Sequence, residues 1–145
     1  LEGEEQIDLK AEEILEKTMR EIYVFVADSD LARFYHSGFI DKLEKASKRN
    51  IGVRLLTNNS PKSCFFAEKL KLNDVKYASL GREDLSSFLI SDKEQLLFSI
   101  KTNGNSSGVD EEDIRVSALW TNYEAFVRAL SVLFTELWSA ETLGS

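Results

Sequence analysis

Apolar residues recur along this chain with two different spacings, and these spacings predict the order of its secondary-structure elements. Apolar side chains three and four positions apart are typical of a helix with one buried face. They predict helices at residues 7–20, at 31–49, after Pro61 and after Thr121. Continuous β-branched and aromatic runs are typical of strands covered on both faces. They predict strands at residues 22–27, 51–57, 75–78 and 114–120, with one more on each side of Asp92.

The resulting order, α-β-α-β-α-β-β-β-β-α, indicates an α/β fold. The strand-helix-strand unit near the start favours a parallel pair of strands with a right-handed crossover, whereas the strands around Asp92 favour a hairpin with a tight polar turn. We therefore expect a mixed sheet flanked by helices on both faces. The last helix has an apolar stripe that would pack on the sheet or on a partner. Thr121 and Glu124 have the spacing of a capping box at its start.

Length, charge and cysteine content narrow the class of protein. The 145 residues suit one domain with its own core, and we assign residues 7–145 to it and residues 1–6 to a linker or a non-native remnant. A net charge of −7 argues against a free-standing nucleic-acid binder. The acidic start lacks a signal-peptide pattern, no apolar run approaches the ~20 residues that span a bilayer, and the lone Cys64 fits a reducing compartment. We therefore expect a cytoplasmic protein with no membrane contact.

The residue types that usually carry chemistry are scarce and isolated in this chain. His36 is the only histidine and lies in the middle of a predicted helix, while Cys64 lies on an apolar helix face. A nucleophile needs a base beside it, and one Cys with one His cannot build a structural zinc site. No glycine-rich phosphate-binding motif occurs. The sequence therefore predicts no catalytic residue, no metal site and no cofactor.

Polar residues stand directly after three of the predicted strands. In parallel α/β folds, ligands bind outside the carboxyl ends of the strands, so these residues form a candidate binding crevice. Helix capping is the alternative explanation for each group, and a turn position is the alternative for Asp92. The candidate ligand-binding residues are Asp28, Ser29, Asn58, Asn59, Asp92, Thr121 and Asn122.

Several stretches, taken in order, resemble known phospholipase-D-like domains. Residues 21–27 with the following helix, and residues 46–57 (ASKRNIGVRLLT), resemble the first half of such a domain, and residues 88–97 (FLISDKEQLL) resemble its degenerate second half. Residues 118–122 (ALWTN), leading to 133–138 (LFTELW), resemble the last strand and helix of archaeal regulators. The chain is thus similar to the effector region of TrmB-family transcriptional regulators. It also resembles the input region of archaeal sensor histidine kinases.

This resemblance covers about residues 8–141 and implies a phospholipase-D-like fold that has lost its chemistry. When the enzymes' motif His-x-Lys-x-x-x-x-Asp is counted back from Asp92, the Lys position holds Ser87 and the His position holds Leu85. The family then implies a non-catalytic effector-sensing and dimerisation domain, with a small-molecule effector, a homodimer, and DNA contacted only through a separate domain. No helix-turn-helix segment precedes Ile7 in this sequence. The sensor input domain of a histidine kinase is the alternative, and a phosphodiesterase ranks third.

Overall fold

The helices and strands follow the order expected from the sequence, except that the second helix is divided in two. The computed structural model describes residues 3–72, 74–78, 86–103 and 114–143. The elements are α1 (Glu4–Lys17), β1 (Glu21–Val26), α2 (Asp28–His36), α3 (Gly38–Lys48), β2 (Gly52–Asn58), α4 (Pro61–Ala67), β3 (Val75–Ala78), β4 (Phe88–Ser91), β5 (Gln95–Asn103), β6 (Ile114–Thr121) and α5 (Glu124–Leu143).

The strands form a mixed sheet, as predicted, because its two halves run in different senses. The order across the sheet is β3-β2-β1-β4-β5-β6. β1, β2 and β3 are parallel, whereas β4 pairs antiparallel with β1, and β5 and β6 continue the antiparallel half. The carboxyl ends of β1 and β2 therefore share one edge with the amino ends of β4 and β6. We name this edge the carboxyl edge and the opposite one the amino edge.

Two apolar cores lie on opposite faces of the sheet, and β1 contributes to both. Every residue of β1 after the first is buried, and successive side chains alternate between the faces. Val24 and Val26 pack into the core beneath α1, α2 and α3, while Tyr23 and Phe25 pack into the core beneath α5. Helices thus cover both faces, as predicted. None of the helices described is both long and apolar enough to cross a membrane.

The helix predicted over residues 31–49 is interrupted at Ser37. This residue has an extended backbone (φ −84°, ψ 162°), and its Oγ donates to the Phe34 carbonyl at 2.9 Å and accepts from the Phe39 N–H at 3.3 Å. Serine side chains compete in this way with the hydrogen bonds of a helix, and Gly38 follows directly. The expectation of one continuous helix was wrong because the apolar spacing runs on through the break.

Two helix starts also differ from the sequence-based expectation. α1 begins at Glu4 rather than Ile7, so residues 4–6 belong to the helix. α5 begins at Glu124, and the capping box expected at Thr121 does not form. Thr121 is instead the last residue of β6, and its Oγ1 accepts from the N–H two residues later at 3.0 Å. Pairing with β5 holds Thr121 in the sheet and so prevents it from capping the helix.

Candidate functional site

The carboxyl edge brings together four of the seven predicted ligand-binding residues. Asp28 and Ser29 open α2 directly after β1, and Asn58 and Asn59 follow each other at the end of the neighbouring β2. The Asp28 N–H donates to Asn58 Oδ1 at 3.0 Å, so the amide side chain ties the two strand ends together. The Asn59 N–H donates to the Ala78 carbonyl at 3.0 Å. The two groups expected at the ends of parallel strands therefore meet at this edge.

The other three predicted residues lie at the amino edge, away from this group. Ser91, directly before Asp92, pairs with Ile22 at the start of β1. Thr121 pairs with Leu96 near the start of β5, and Asn122 follows it. The expectation that the polar groups after three strands converge is therefore wrong for Thr121 and Asn122, because β6 runs antiparallel to β5 and ends at the edge where β1 begins. Asp92, Thr121 and Asn122 do not share a crevice with Asp28, Ser29, Asn58 and Asn59.

Helix capping, the alternative explanation, does not apply to Asp28 and Ser29 but applies to Ser60, which directly follows Asn59. Asp28 and Ser29 lie inside the first turn of α2, where an acidic group favours the helix dipole, and the N-cap is Ala27, whose side chain cannot cap. Ser60 caps α4 and forms a capping box with Ser63. The Ser63 hydroxyl also donates to the Asn58 carbonyl. These bonds make Asn58 a structural tie between β2, α2 and α4.

Ser87 and Asp30 form a buried hydrogen-bonded pair at this edge, which sequence reasoning did not find. Ser87 Oγ donates to Asp30 Oδ2 at 2.7 Å and accepts from the Ala27 N–H at 2.9 Å. Both residues are nearly inaccessible, with 4% and 3% of their surface exposed. Ser87 stands where the enzymes' motif has Lys, and Leu85 lies outside the described residues. The only sequence signal was a polar position directly before the apolar run of β4.

Asp92 is held at the amino edge as a turn residue. It and Lys93 have positive φ values of 51° and 57°, and the Glu94 N–H donates to the Ser91 carbonyl at 2.9 Å. Two successive left-handed residues are typical of the turns that join twisted hairpin strands, and aspartate tolerates this conformation well. The alternative explanation of Asp92 as a turn position therefore agrees with its geometry.

The Asp92 carboxylate binds the segment that joins α1 to β1. Its two oxygens accept from the N–H groups of Met19 at 2.9 Å, Arg20 at 2.8 Å and Glu21 at 2.9 Å. Burial alone would raise the pKa of this carboxyl, but the three backbone donors and the Arg20 charge outweigh it and hold the pKa of Asp92 below its ordinary value. The ionised carboxylate therefore stabilises this corner of the fold.

His36 and Cys64, the two residues considered for catalysis, lie on separate helices, and His36 ends α2 instead of lying in the middle of a helix as expected. His36 is exposed at the end of α2, where its ring contacts those of Tyr35 and Phe66. Cys64 is half-buried on α4. Within the described ranges, no group of three or more His, Cys, Asp or Glu residues is arranged to hold a metal ion.

A recess lies on the face of the sheet that α1, α2 and α3 cover. It is bounded by α1, α2 and strands β1, β4 and β5. The recess has a cavity volume of about 30 Å³, and its mouth is open to solvent. Arg33 and Asp8 line it, with Arg33 Nη1 2.8 Å from Asp8 Oδ1. Ser87 and Ser99 line its inner part. A polar cluster therefore reaches from the carboxyl edge into a partly enclosed space.

Comparison with known proteins identifies the fold. The chain is similar to TrmBL2, an archaeal chromatin protein, with a TM-score of 0.61 and 20% identity over 97% of this chain and 51% of TrmBL2. It is also similar to Nuc, a phospholipase D family member from Salmonella typhimurium, with a TM-score of 0.64 and 9% identity over 91% of this chain and 86% of Nuc. For NucT from Helicobacter pylori the TM-score is 0.60, with 10% identity over 93% of this chain and 89% of NucT.

The fold is therefore that of a phospholipase-D-like α/β domain, as the sequence resemblance implied. The chain spans about half the length of TrmBL2, and none of these three structures is described as a kinase. No protein-family model and no curated protein sequence matches the chain.

Proposed function

We propose that this chain is a non-catalytic effector-sensing and dimerisation domain of an archaeal transcriptional regulator. The observation that carries this proposal is the buried Ser87–Asp30 pair, because Ser87 aligns with the Lys of the enzymes' motif in a sheet with the phospholipase-D-like fold. Similarity to about half of TrmBL2, whose structure is described as showing a novel mode of DNA binding, favours a regulator over an enzyme. In this proposal, DNA is contacted through a separate domain, which agrees with the net charge of −7.

The loss of catalysis follows from what Ser87 can and cannot do. A hydroxyl carries no positive charge and so cannot stabilise the charge that develops on a phosphoryl group, as a Lys does. The Ser87 oxygen is already engaged by the Ala27 N–H and by Asp30. Asp92 lies at the other end of β4 and is satisfied by three backbone N–H groups. Neither residue is available to a substrate.

An exposed apolar surface on the α5 side of the sheet supports the dimerisation part of the proposal. α1 offers no comparable surface, because four of its five apolar residues are buried and Leu9 alone among them is exposed. On the other face, Leu119 of β6 points to the same side as α5 and is 48% exposed. Contiguous exposed apolar patches mark interaction sites on soluble proteins. This surface, which we name the α5 flank, consists of Ile100, Leu119, Tyr123, Phe126 and Leu133.

The α5 flank suits a second copy of the chain, because symmetric regulators bind two half-sites of DNA through a two-fold dimer. Sedimentation equilibrium tests it with two variants of α5. Phe126 and Val132 are each 55% exposed, but Val132 lies on the side of α5 opposite the buried Val127 and Phe134. We expect a dimer for the unmodified chain, a monomer for Phe126→Glu, and a dimer for the control Val132→Glu. A monomeric unmodified chain at high micromolar concentration would contradict the proposal.

A further inference from the structure

A groove lies between α1 and α3, towards the amino edge of the sheet. Both helices end at this edge, because β1 and β2, the strands that follow them, begin there. The groove has a cavity volume of about 330 Å³ and is open to solvent. It is lined by Leu15 and Glu16 of α1 and by Lys42, Lys45 and Arg49 at the end of α3. Pockets that hold small molecules have volumes of about 300–1,000 Å³, so the groove has room for one.

Three cations line one wall of the groove because of their spacing along the chain. Lys42, Lys45 and Arg49 are three and four positions apart, which places their side chains on one side of a helix. Leu43 and Ala46, on the adjoining side of α3, are buried in the core. The basic wall therefore belongs to a helix that packing holds in place.

Two of these cations have no acidic partner within the part of the chain that the structure describes. Lys42 lies 3.5 Å from Glu12 and 3.3 Å from Glu16, whereas no such contact is made by Lys45 or Arg49. Cations in the last turn of a helix also favour its dipole, which accounts for Lys45 but does not require a groove beside it. In a chain with 25 acidic and 18 basic side chains, a cleft with unpaired cations concentrates anions locally.

We propose that this groove binds a small molecule that carries a phosphate monoester. Such a group has about two negative charges at neutral pH and three oxygens that accept hydrogen bonds, so it matches the two unpaired cations together with Lys42. Leu15 and the hydrocarbon stems of the lysines offer an apolar surface to the rest of the molecule. Glu16 is 68% exposed, so its weak pairing with Lys42 yields to a phosphate at low cost.

This inference rests on the proposed sensing function and names the class of its effector. Lys42 ties α3 to Glu12 and Glu16 of α1. A phosphate bound to Lys42 competes with Glu16 and so alters how the end of α1 is attached to the rest of the domain. A change in that attachment upon binding is what a sensor needs in order to signal.

Titration of the chain with methyl phosphate, followed by nuclear magnetic resonance of the backbone N–H groups, tests the proposal. Dimethyl phosphate is the matched probe, because its second methyl group removes one negative charge and adds little bulk. We expect saturable shifts of the Leu15, Lys45 and Arg49 signals with methyl phosphate, and at least fivefold weaker binding of dimethyl phosphate. Absence of saturable shifts, or equal binding of the two probes, overturns the assignment.

Substitutions separate the groove from a basic helix face that is merely solvated. Arg49→Gln and Lys48→Gln each remove one exposed positive charge, but Lys48 lies outside the groove. We expect Arg49→Gln to weaken the binding of methyl phosphate at least fivefold and Lys48→Gln to weaken it less than twofold. Equal weakening by both contradicts the proposal. Glu16→Gln, which removes a carboxylate from the groove, should strengthen binding, and unchanged or weaker binding in this variant also contradicts it.

A short DNA duplex, titrated in the same way, distinguishes the source of the phosphate. We expect it to leave the three signals in place, because the net charge of −7 repels a polyanion. Shifts of these signals by the duplex, with a larger loss for Arg49→Gln than for Lys48→Gln, would make the groove a DNA contact and overturn the small effector.

Failure here and failure of the proposed function give different results. If methyl phosphate does not bind but the chain still dimerises through the α5 flank, only the ligand class is overturned. If methyl phosphate binds while the chain hydrolyses phosphodiesters, the groove is a site and the non-catalytic regulator is overturned.

Discussion

The two ends of β4 differ in how they use the polar residues that align with the enzymes' motif. At the carboxyl edge, Ser87 is buried and joins the Ala27 N–H to the Asp30 carboxylate. At the amino edge, Asp92 is only half-buried, and its carboxylate accepts hydrogen bonds from three backbone N–H groups at the start of β1 and just before it. Both residues hold neighbouring segments together, but water can replace lost bonds only at Asp92. The comparison indicates that burial sets how strongly the fold depends on each of these polar residues.

Ser87→Ala is expected to give the largest effect. It leaves the half-buried Ala27 N–H without its acceptor and removes a donor to Asp30. Leaving such a donor unsatisfied costs about 1–3 kcal/mol, and loss of the hydrogen bond to Asp30 adds to it, so we expect a loss of about 3 kcal/mol in the free energy of unfolding. Urea denaturation measures this loss. Ser87→Thr retains the hydroxyl and serves as the control, and equal stability of Ser87→Ala and the unmodified chain would show that the pair is dispensable.

Asp92→Ala is expected to have a smaller effect than Ser87→Ala. It removes the acceptor of three N–H groups that water partly reaches, and it places alanine at a φ of 51°. We expect a loss of about 2 kcal/mol, because a left-handed residue other than glycine, asparagine or aspartate costs about 1–2 kcal/mol and the exposed bonds add little. The same urea experiment ranks the two variants. A larger loss for Asp92→Ala than for Ser87→Ala would reverse the comparison.

Asp92→Asn isolates the contribution of the negative charge, and its effect should depend on pH. The pKa of Asp92 is lowered in the folded state, so its ionisation stabilises the fold above the unfolded pKa of about 3.9. That stabilisation is lost as the pH falls through the still lower folded pKa. The difference in unfolding free energy between the unmodified chain and Asp92→Asn should therefore be constant near neutral pH and shrink below about pH 4. A difference that does not change between pH 7 and pH 3 would exclude a charge contribution.

Phosphodiester turnover is where we expect no effect at all. We expect bis(4-nitrophenyl) phosphate to be hydrolysed no faster with protein than in buffer alone. This holds for the unmodified chain and for Ser87→Ala and Asp92→Ala. Release of 4-nitrophenolate is followed by its absorbance. A rate above background that disappears in Asp92→Ala would make the chain an enzyme and would overturn the architectural role given to both ends of β4.

Local pattern predicted most of the fold but only part of the site. The strict apolar run of β1 predicted a strand covered on both faces, and alternation of its side chains between two cores bears this out. The turn at Asp92 was also predicted, since aspartate favours left-handed backbone. The break at Ser37 was missed, because its cause is a side-chain hydrogen bond that does not change the apolar spacing.

The candidate site was predicted less well because it depends on strand direction. Asp28 and Asn58 were expected to meet because β1 and β2 are joined by helices, which favours parallel pairing. Thr121 was also expected at the carboxyl edge, but β6 is antiparallel to β5 and ends at the amino edge. Ser87 and Asp30 are 57 positions apart, and nothing in the local pattern of either residue indicates the other.

The sequence by itself determined which segments are helices and strands, and that both faces of the sheet are covered. It also determined that the positions aligned with the enzymes' His and Lys hold Leu85 and Ser87. These properties depend on interactions between residues close together in the chain, and apolar spacing reports them directly. Only the tertiary structure decided which polar groups meet. The Ser87–Asp30 pair, the Arg33–Asp8 mouth of the recess and the three bonds to Asp92 all join distant segments. Their geometry depends on the order and direction of the strands, which is set by the packing of the whole sheet.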